Sequence, residues 1–207
     1  MGLKTLILAS QSPRRRSLLA DSGRSFCVIP ALGVAEESPR ESADPAALAL
    51  RNALAKARAA AALPRACELA PAAVIGCDTI ACVPTGSGDG VYEILGKPTD
   101  RTDARRMLRL LSGSKHLVVS GLAIVELPGG AETAASETTT LVMDRLDDAV
   151  IEAYLESGAW RGKAGAFGYQ DGIPWLRIAS GSASNVVGLP MELLGKLLDE
   201  IERKDAP

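Results

Sequence analysis

Residues 5–23 read TLILASQSPRRRSLLADSG, and this stretch decides the fold class. Its first five residues predict a short buried strand. Ser12 then stands where it can cap a helix whose first turn contains Pro13, the helical position that suits proline best. The helix is expected to run to about Ser22 and to end at Gly23. A strand followed directly by a helix is typical of α/β proteins.

The same alternation continues along the chain. Strands are predicted over 26–29, 73–77, 117–125, 136–143 and 174–178, and helices over 45–63, 100–111, 147–156 and 191–204. A Pro-Gly-Gly turn joins the strands of the 117–143 pair, which makes that pair antiparallel. We therefore expect an α/β protein with a mixed central sheet flanked by helices. Residues 1–207 should form a single domain, and the pattern is compatible with two lobes around a cleft.

Composition excludes several classes of function. The chain has 207 residues, with 23 Lys and Arg against 25 Asp and Glu, and only 3% aromatic residues. Such a balance argues against a nucleic-acid coat or a base-stacking platform. The single histidine, His116, excludes a His-rich zinc site, and the four cysteines contain no C-x-x-C pair. No apolar stretch is long enough to span a membrane, so we expect a cytoplasmic protein without membrane or nucleic-acid partners.

The first candidate site is the turn between the opening strand and helix. Ser10 lies in this turn, and Arg14 and Arg15 follow in the first helical turn. Helix N-termini bind anions because their amides lack partners, whereas cations are unfavourable for the helix there. Paired arginines at this position therefore indicate a phosphate site. A solvated basic patch is the alternative interpretation.

The second candidate is Asp78, which follows the very apolar stretch AAVIGC. The strand is predicted to end there, which places the carboxylate where ligands of α/β sheets bind, beyond the carboxyl ends of strands. It would be placed to hold a divalent ion or to act as a base. A turn or helix-cap role is the alternative, although no helix follows directly.

Two further segments have features of a ligand site. Lys97 stands between Gly96 and Pro98 and is a rigidly presented cation, although the segment fails the Walker A pattern. The glycine-rich stretch 158–172 allows close approach of a ligand, and Gln170 within it could read a base edge. A mobile surface loop is an equal alternative there, and residues 181–190 are interpreted as a structural turn.

Taken together, these motifs resemble the Maf family over nearly the whole chain. They are LASQSPRR at 8–15, Asp78-Thr79, Gly96-Lys97-Pro98, Leu111-Ser112-Gly113, Lys163-Ala164-Gly165 and NVVGLP at 185–190, in that family's order. The resemblance implies a mixed α/β fold with a cleft between two lobes. It also implies a nucleoside triphosphate pyrophosphatase that splits its substrate between the α and β phosphates. Family members were also named for an effect on septum formation in cell division.

The resemblance assigns a role to each site residue. Asp78 matches the general base, and Glu37 matches an acidic loop residue that helps to hold Mg²⁺ or positions water. A divalent cation, Mg²⁺ or Mn²⁺, is therefore the implied cofactor, held by Glu37 and Asp78. The positions that match the phosphate-facing residues are Lys56, Lys97, Ser10, Arg14 and Arg15.

Three positions resemble the branch that acts on dTTP and UTP, namely Arg14, Thr79 and Gln170. A pyrophosphatase for 7-methyl-GTP or another modified nucleotide, and a non-catalytic nucleotide-binding regulator of cell division, remain as alternatives. Asp171 stands where that branch usually has Gly, and we expect it to add negative charge near the base pocket. The Gly/Ser-rich insert at 84–90 is also unusual. A homodimer is expected by family resemblance alone.

Overall fold

A mixed sheet forms the centre of the molecule in the computed structural model, which describes residues 5–37, 44–85 and 90–204. Within these ranges the sheet has seven strands in the order β2-β1-β3-β5-β6-β7, and β4 pairs with β3. The strands are β1 (Thr5–Leu8), β2 (Phe26–Val28), β3 (Ala72–Pro84), β4 (Tyr92–Leu95), β5 (Lys115–Leu127), β6 (Glu132–Met143) and β7 (Leu176–Ser180).

Parallel and antiparallel pairings meet at β3. Strand β1 runs parallel to both β2 and β3, whereas β3 is antiparallel to β4 and β5. The β5–β6 and β6–β7 pairs are antiparallel as well. The predicted α/β class with a mixed sheet is therefore confirmed.

Helices cover the sheet, and most of them begin where the sequence predicts. They are α1 (Pro13–Asp21), α2 (Pro45–Ala61), α3 (Pro64–Cys67), α4 (Arg101–Leu111), α5 (Asp148–Glu156), α6 (Ala183–Val187) and α7 (Met191–Lys204). The predicted cap at Ser12 is present, because its hydroxyl accepts a hydrogen bond from the Arg15 N–H at 3.4 Å. Among the described residues, no helix combines the length and apolar character that crossing a membrane requires.

Helix α2 lies unusually close to the sheet because two glycines face it. A Cβ atom on Gly76 of β3 would lie 2.2 Å from the Ala53 carbonyl oxygen, and one on Gly121 of β5 would lie 2.3 Å from the Ala49 backbone. The helix itself presents small side chains to the sheet, and Ala49 and Ala53 are fully buried. This close packing sets the distance between β3 and the polar side chains that α2 carries further along.

Strand β3 is longer than the sequence analysis predicts. The predicted strand ends at Cys77, but the observed strand runs to Pro84, so Asp78 lies in the middle of a strand and not beyond its end. The reason is that buried residues continue beyond Asp78. Ile80, Ala81 and Cys82 all pair with β5, and the last two also pair with β4. The predicted position of Asp78 at the end of a strand is therefore wrong.

Other elements differ from the predictions as well, among them the unpredicted helix α3 and strand β6, which begins at Glu132 and not at residue 136. Strand β4 was not predicted, and β7 begins two residues later than expected. The segment interpreted as a turn before α7 contains helix α6, which Ser182 caps through a hydrogen bond from the Asn185 N–H. Most of the insert at 84–90 lies outside the described residues, as do residues 38–43, which were predicted to form part of a loop.

His116 is fully buried in β5, where its ring packs edge-on against Phe167. Burial lowers the pKa of His116 from 6.5 to about 4, because the charged imidazolium is poorly solvated there. The unfolded chain therefore takes up this proton at a higher pH than the folded chain does. Acid consequently favours unfolding in the window between these two values.

We expect His116→Leu to weaken the acid sensitivity of the fold. Between about pH 7.5 and about pH 5, the wild-type chain should lose on the order of 2 kcal/mol of unfolding free energy through this residue, and the variant should not. Urea unfolding at the two pH values measures the difference. Equal losses in both proteins would contradict the assignment.

Candidate active site

Three adjoining cavities form one cleft, and Arg15 and Lys97 line all three of them. We call the parts the base end, the phosphate end and the acidic end, the first two after the ligand groups that the sequence analysis expects there. The base end contains Thr79 and Gln170, the phosphate end contains Ser10 and Arg14, and the acidic end contains Glu36, Glu37 and Asp78. Lys56 borders both the phosphate end and the acidic end.

Asp78 is the centre of the acidic end, and both of its carboxylate oxygens have partners. The Lys56 ammonium of α2 donates to Oδ1 at 2.6 Å, and the Asn52 amide donates to Oδ2 at 3.1 Å. Asn52 and Lys56 are one helical turn apart, so both side chains reach the same strand. Only 12% of the Asp78 side chain and 13% of the Lys56 side chain are exposed. The carboxylate is thus held at a defined place and faces the cleft.

A second carboxylate shares the same lysine. Glu36 Oε1 lies 2.7 Å from Lys56 Nζ, so Glu36 and Asp78 contact one ammonium nitrogen. Burial alone would raise the pKa of Glu36. The hydrogen bond from Lys56 and the positive charges of Lys56, Lys97 and Arg15 outweigh burial and lower it. Glu36 is therefore a deprotonated group within a largely cationic cleft.

Glu37, which is predicted to bind the metal together with Asp78, lies at the acidic end but has a different partner from Asp78. Its carboxylate forms a 2.7 Å ion pair with Arg51, and a little under half of each side chain is exposed. The Glu37 backbone N–H donates to Asn52 Oδ1 at 2.9 Å. Asn52 therefore joins the loop that carries Glu36 and Glu37 to Asp78.

Arg15 is held at the junction of the three cavities by three hydrogen bonds. Its guanidinium donates to the Gly188 carbonyl at 2.7 Å, to Thr79 Oγ1 at 3.2 Å and to Ser10 Oγ at 3.3 Å. Thr79 is in turn 2.9 Å from the hydroxyl of Ser120 on β5. Arg15 therefore links helix α1, strand β3 and the segment before α7, and its charge has a fixed position.

The remaining cations line the phosphate end with fewer constraints. Arg14 donates to the Gly162 carbonyl at 3.4 Å, and Arg161 borders the same cavity. Within the part of the chain that the structure describes, Lys97 has no hydrogen-bond or ion-pair partner. These side chains are available to an anionic ligand, and such cations suit phosphate oxygens.

Asp171 does not leave an unpaired negative charge at the base end. The Lys163 ammonium and the Tyr154 hydroxyl both donate to Asp171 Oδ2, the latter at 3.2 Å. Burial, together with the charge and hydrogen bond of Asp171, raises the pKa of Tyr154. Gln170 lines the cavity beside this cluster, together with Thr79.

The structure thus brings all nine predicted site residues to one cleft. They are Ser10, Arg14, Arg15, Lys56, Asp78, Thr79, Lys97 and Gln170, with Glu37 at its acidic end. The sequence analysis missed Asn52 and did not select Glu36. Asn52 is four residues before Lys56 on a predicted helix, and this spacing was a usable signal.

The acidic end has donors that suit a divalent cation. Carboxylate oxygens are the ligands that Mg²⁺ prefers, and it usually combines one or two of them with substrate phosphates. Glu36 and Asp78 already converge on one positive charge, that of Lys56. Among residues 5–37, 44–85 and 90–204, no three His, Cys, Asp or Glu side chains cluster to hold a metal alone. Water molecules and bound phosphates would therefore complete the ligand set.

Comparisons with known proteins found a matching family model and similar enzymes. Residues 5–201 match the family model described as "Maf-like protein". A dTTP/UTP pyrophosphatase of Rhodopirellula baltica is 42% identical over 203 residues, which covers 97% of this chain and 83% of that protein. Enzymes of the same name from Ruminiclostridium cellulolyticum (36% identical, 98% of each chain) and Thermococcus gammatolerans (41% identical, 93% of this chain and 94% of that protein) are similar over nearly their whole lengths.

Proposed function

The chain belongs to the Maf family, and from this premise we propose that it hydrolyses a nucleoside triphosphate to the monophosphate and pyrophosphate. One observation supports this most directly: a fixed carboxylate, that of Asp78, faces a cleft whose other walls carry arginine and lysine. Phosphoryl transfer needs charge stabilisation and a positioned water more than a protein nucleophile. The cleft has cations that can stabilise the charge and a carboxylate that can position the water.

We further propose dTTP and UTP as substrates. The relatives named dTTP/UTP pyrophosphatases support this choice. Gln170 carries an amide with one donor group and one acceptor group, which matches the carbonyl and N–H edge of uracil or thymine. Thr79 borders the same cavity.

In the proposed mechanism, a water molecule attacks the α phosphorus. A new bond forms between the water oxygen and phosphorus, the bond to the bridging oxygen breaks, and pyrophosphate leaves with its electron pair. Asp78 takes the proton of the attacking water, and Lys56 holds the carboxylate in place for this task. Arg14, Arg15 and Lys97 stabilise the negative charge that builds on the phosphate oxygens.

A divalent cation, Mg²⁺ or Mn²⁺, completes the proposal. Asp78 and Glu37 are the predicted ligands, and Glu36 is an additional carboxylate beside them. When bound, such an ion neutralises phosphate charge and orients the triphosphate. The protein side chains then act on a substrate whose charge is already partly balanced.

Other expectations stay predictions at this stage. They are a homodimer, a cytoplasmic location and the lack of a nucleic-acid partner. Light scattering of the purified chain tests the first. Electrophoretic mobility shift with single-stranded and double-stranded DNA tests the last.

Pyrophosphate release from a panel of nucleotides tests the proposed function. With Mg²⁺, and in parallel with Mn²⁺, we expect turnover of dTTP and UTP and much less of CTP and 7-methyl-GTP. Preferred hydrolysis of 7-methyl-GTP would overturn the substrate assignment and leave the reaction intact. Saturable binding of a nucleotide without any turnover in a folded sample would instead favour a binding regulator.

A further inference from the structure

The segment from Lys163 to Asp171 is closed into a ring by an ion pair between its two ends, and we call it the base loop. The Lys163 ammonium donates to the Asp171 carboxylate, and both side chains are largely buried, with 11% and 23% exposed. The Tyr154 hydroxyl of helix α5 donates to the same carboxylate oxygen at 3.2 Å. The ring is thereby anchored to the body of the protein.

Glycines inside the base loop make room for this ion pair. A Cβ on Gly168 would lie 2.4 Å from Lys163 Nζ and 2.5 Å from Asp171 Oδ2. Gly165 has a φ of +70°, a conformation that favours glycine, and its N–H donates to the Gly96 carbonyl at 3.1 Å. Gly96 precedes Lys97, so the base loop also contacts the segment that presents a cation to the phosphate end.

Gln170 lies in this ring directly before Asp171, and it lines the base end together with Lys163 and Thr79. Two consequences follow from the ion pair. The backbone at Gln170 is held in place by its neighbour, and the Lys163 ammonium is occupied. A free ammonium there would be a donor without any acceptor capacity, and it would compete for the acceptor atoms of whichever base enters.

We propose that Asp171 is a specificity-determining positioning residue, which keeps Gln170 in place and removes the Lys163 charge from the base end. This inference rests on the proposed function. It concerns discrimination among pyrimidine nucleotides, because a base-reading amide discriminates only while its position is fixed. The catalytic groups at the acidic end do not contact Asp171, so the reaction itself should continue without it.

The test compares Asp171→Asn, Asp171→Glu and the control Asp144→Asn. Asp144 forms a solvent-exposed ion pair with Arg177, so the control removes a similar pair away from the cleft. For Asp171→Asn we expect the ratio of kcat/KM for dTTP to that for CTP to fall about tenfold, mainly through KM for dTTP. Asp171→Glu keeps the negative charge, so its ratio should fall less than that of Asp171→Asn. Asp144→Asn should leave the ratio unchanged.

Hydrogen exchange without nucleotide provides a second readout. Amides of the base loop should exchange faster in Asp171→Asn than in the wild-type chain, and those of strand β3 should not. An unchanged dTTP to CTP ratio in Asp171→Asn, or an equal loss with both nucleotides, overturns the proposal.

The outcome stays distinct from the fate of the proposed function. If the wild-type chain binds nucleotides without hydrolysing them, the proposed reaction fails. The ratio of the dissociation constants for dTTP and CTP then replaces the kinetic ratio, and a fall of that ratio in Asp171→Asn still supports the role of Asp171. If the wild-type chain binds neither nucleotide, both proposals are overturned.

Discussion

Replacing Asp78 by Asn is expected to lower the rate of pyrophosphate release by about three orders of magnitude. The amide keeps the size of the side chain but cannot take the proton of the attacking water. Lys56 retains Glu36 as an ion-pair partner in the variant, so the buried ammonium is not left alone. The loss should therefore appear in kcat, and the fold should persist.

The measurement is steady-state pyrophosphate release with dTTP, combined with circular dichroism of each protein. Asp144→Asn is the matched control, because it makes the same chemical change on an exposed ion pair outside the cleft. The control should keep the wild-type rate. Retention of more than about a tenth of the rate by Asp78→Asn would remove Asp78 from the role of general base.

A large loss of stability is expected from Gly121→Ala. The added Cβ would lie 2.3 Å from the backbone carbonyl of Ala49 in α2, and a helix backbone cannot move aside as a flexible side chain can. We expect the free energy of unfolding to fall by about 4 kcal/mol, at the upper end of single substitutions. Because α2 also carries Asn52 and Lys56, displacement of the helix should impair turnover as well.

Gly195→Ala is the matched control for this substitution. Gly195 lies within α7, and a Cβ there meets no atom within 4 Å. Alanine in a helix interior is favoured over glycine, so the control should be more stable by about 0.5–1 kcal/mol. Urea unfolding of the two variants gives the comparison. Similar stabilities for both would show that α2 tolerates a larger separation from β5.

Local patterns were sufficient for the parts of the fold that depend on neighbouring residues. The cap at Ser12 and the helix from Pro45 were both predictable, because capping and helix entry involve residues only a few positions apart. The extent of β3 was not predictable in this way. Its second half is fixed by pairing with β4 and β5, and such partners are distant in sequence.

The candidate site, too, was predictable from the sequence only in part. Residue types and their order alone predict phosphate-binding cations and a role for Asp78. The sequence does not predict which partner each acidic residue has, because Glu36 and Glu37 are adjacent and have the same chemistry. Only the packing of the loop against α2 determines that Glu36 forms its ion pair with Lys56 and that Glu37 forms its ion pair with Arg51.

By itself, the sequence determined the fold class, the helix caps and which charged residues are present, because these depend on composition and short-range spacing. The tertiary structure decided which charges are paired. Asp171 is the plainest example: as a sequence position it adds a negative charge near the base pocket, whereas in the fold Lys163 neutralises it. Electrostatic effects depend on distance in space, and the return of the base loop on itself brings these two side chains together.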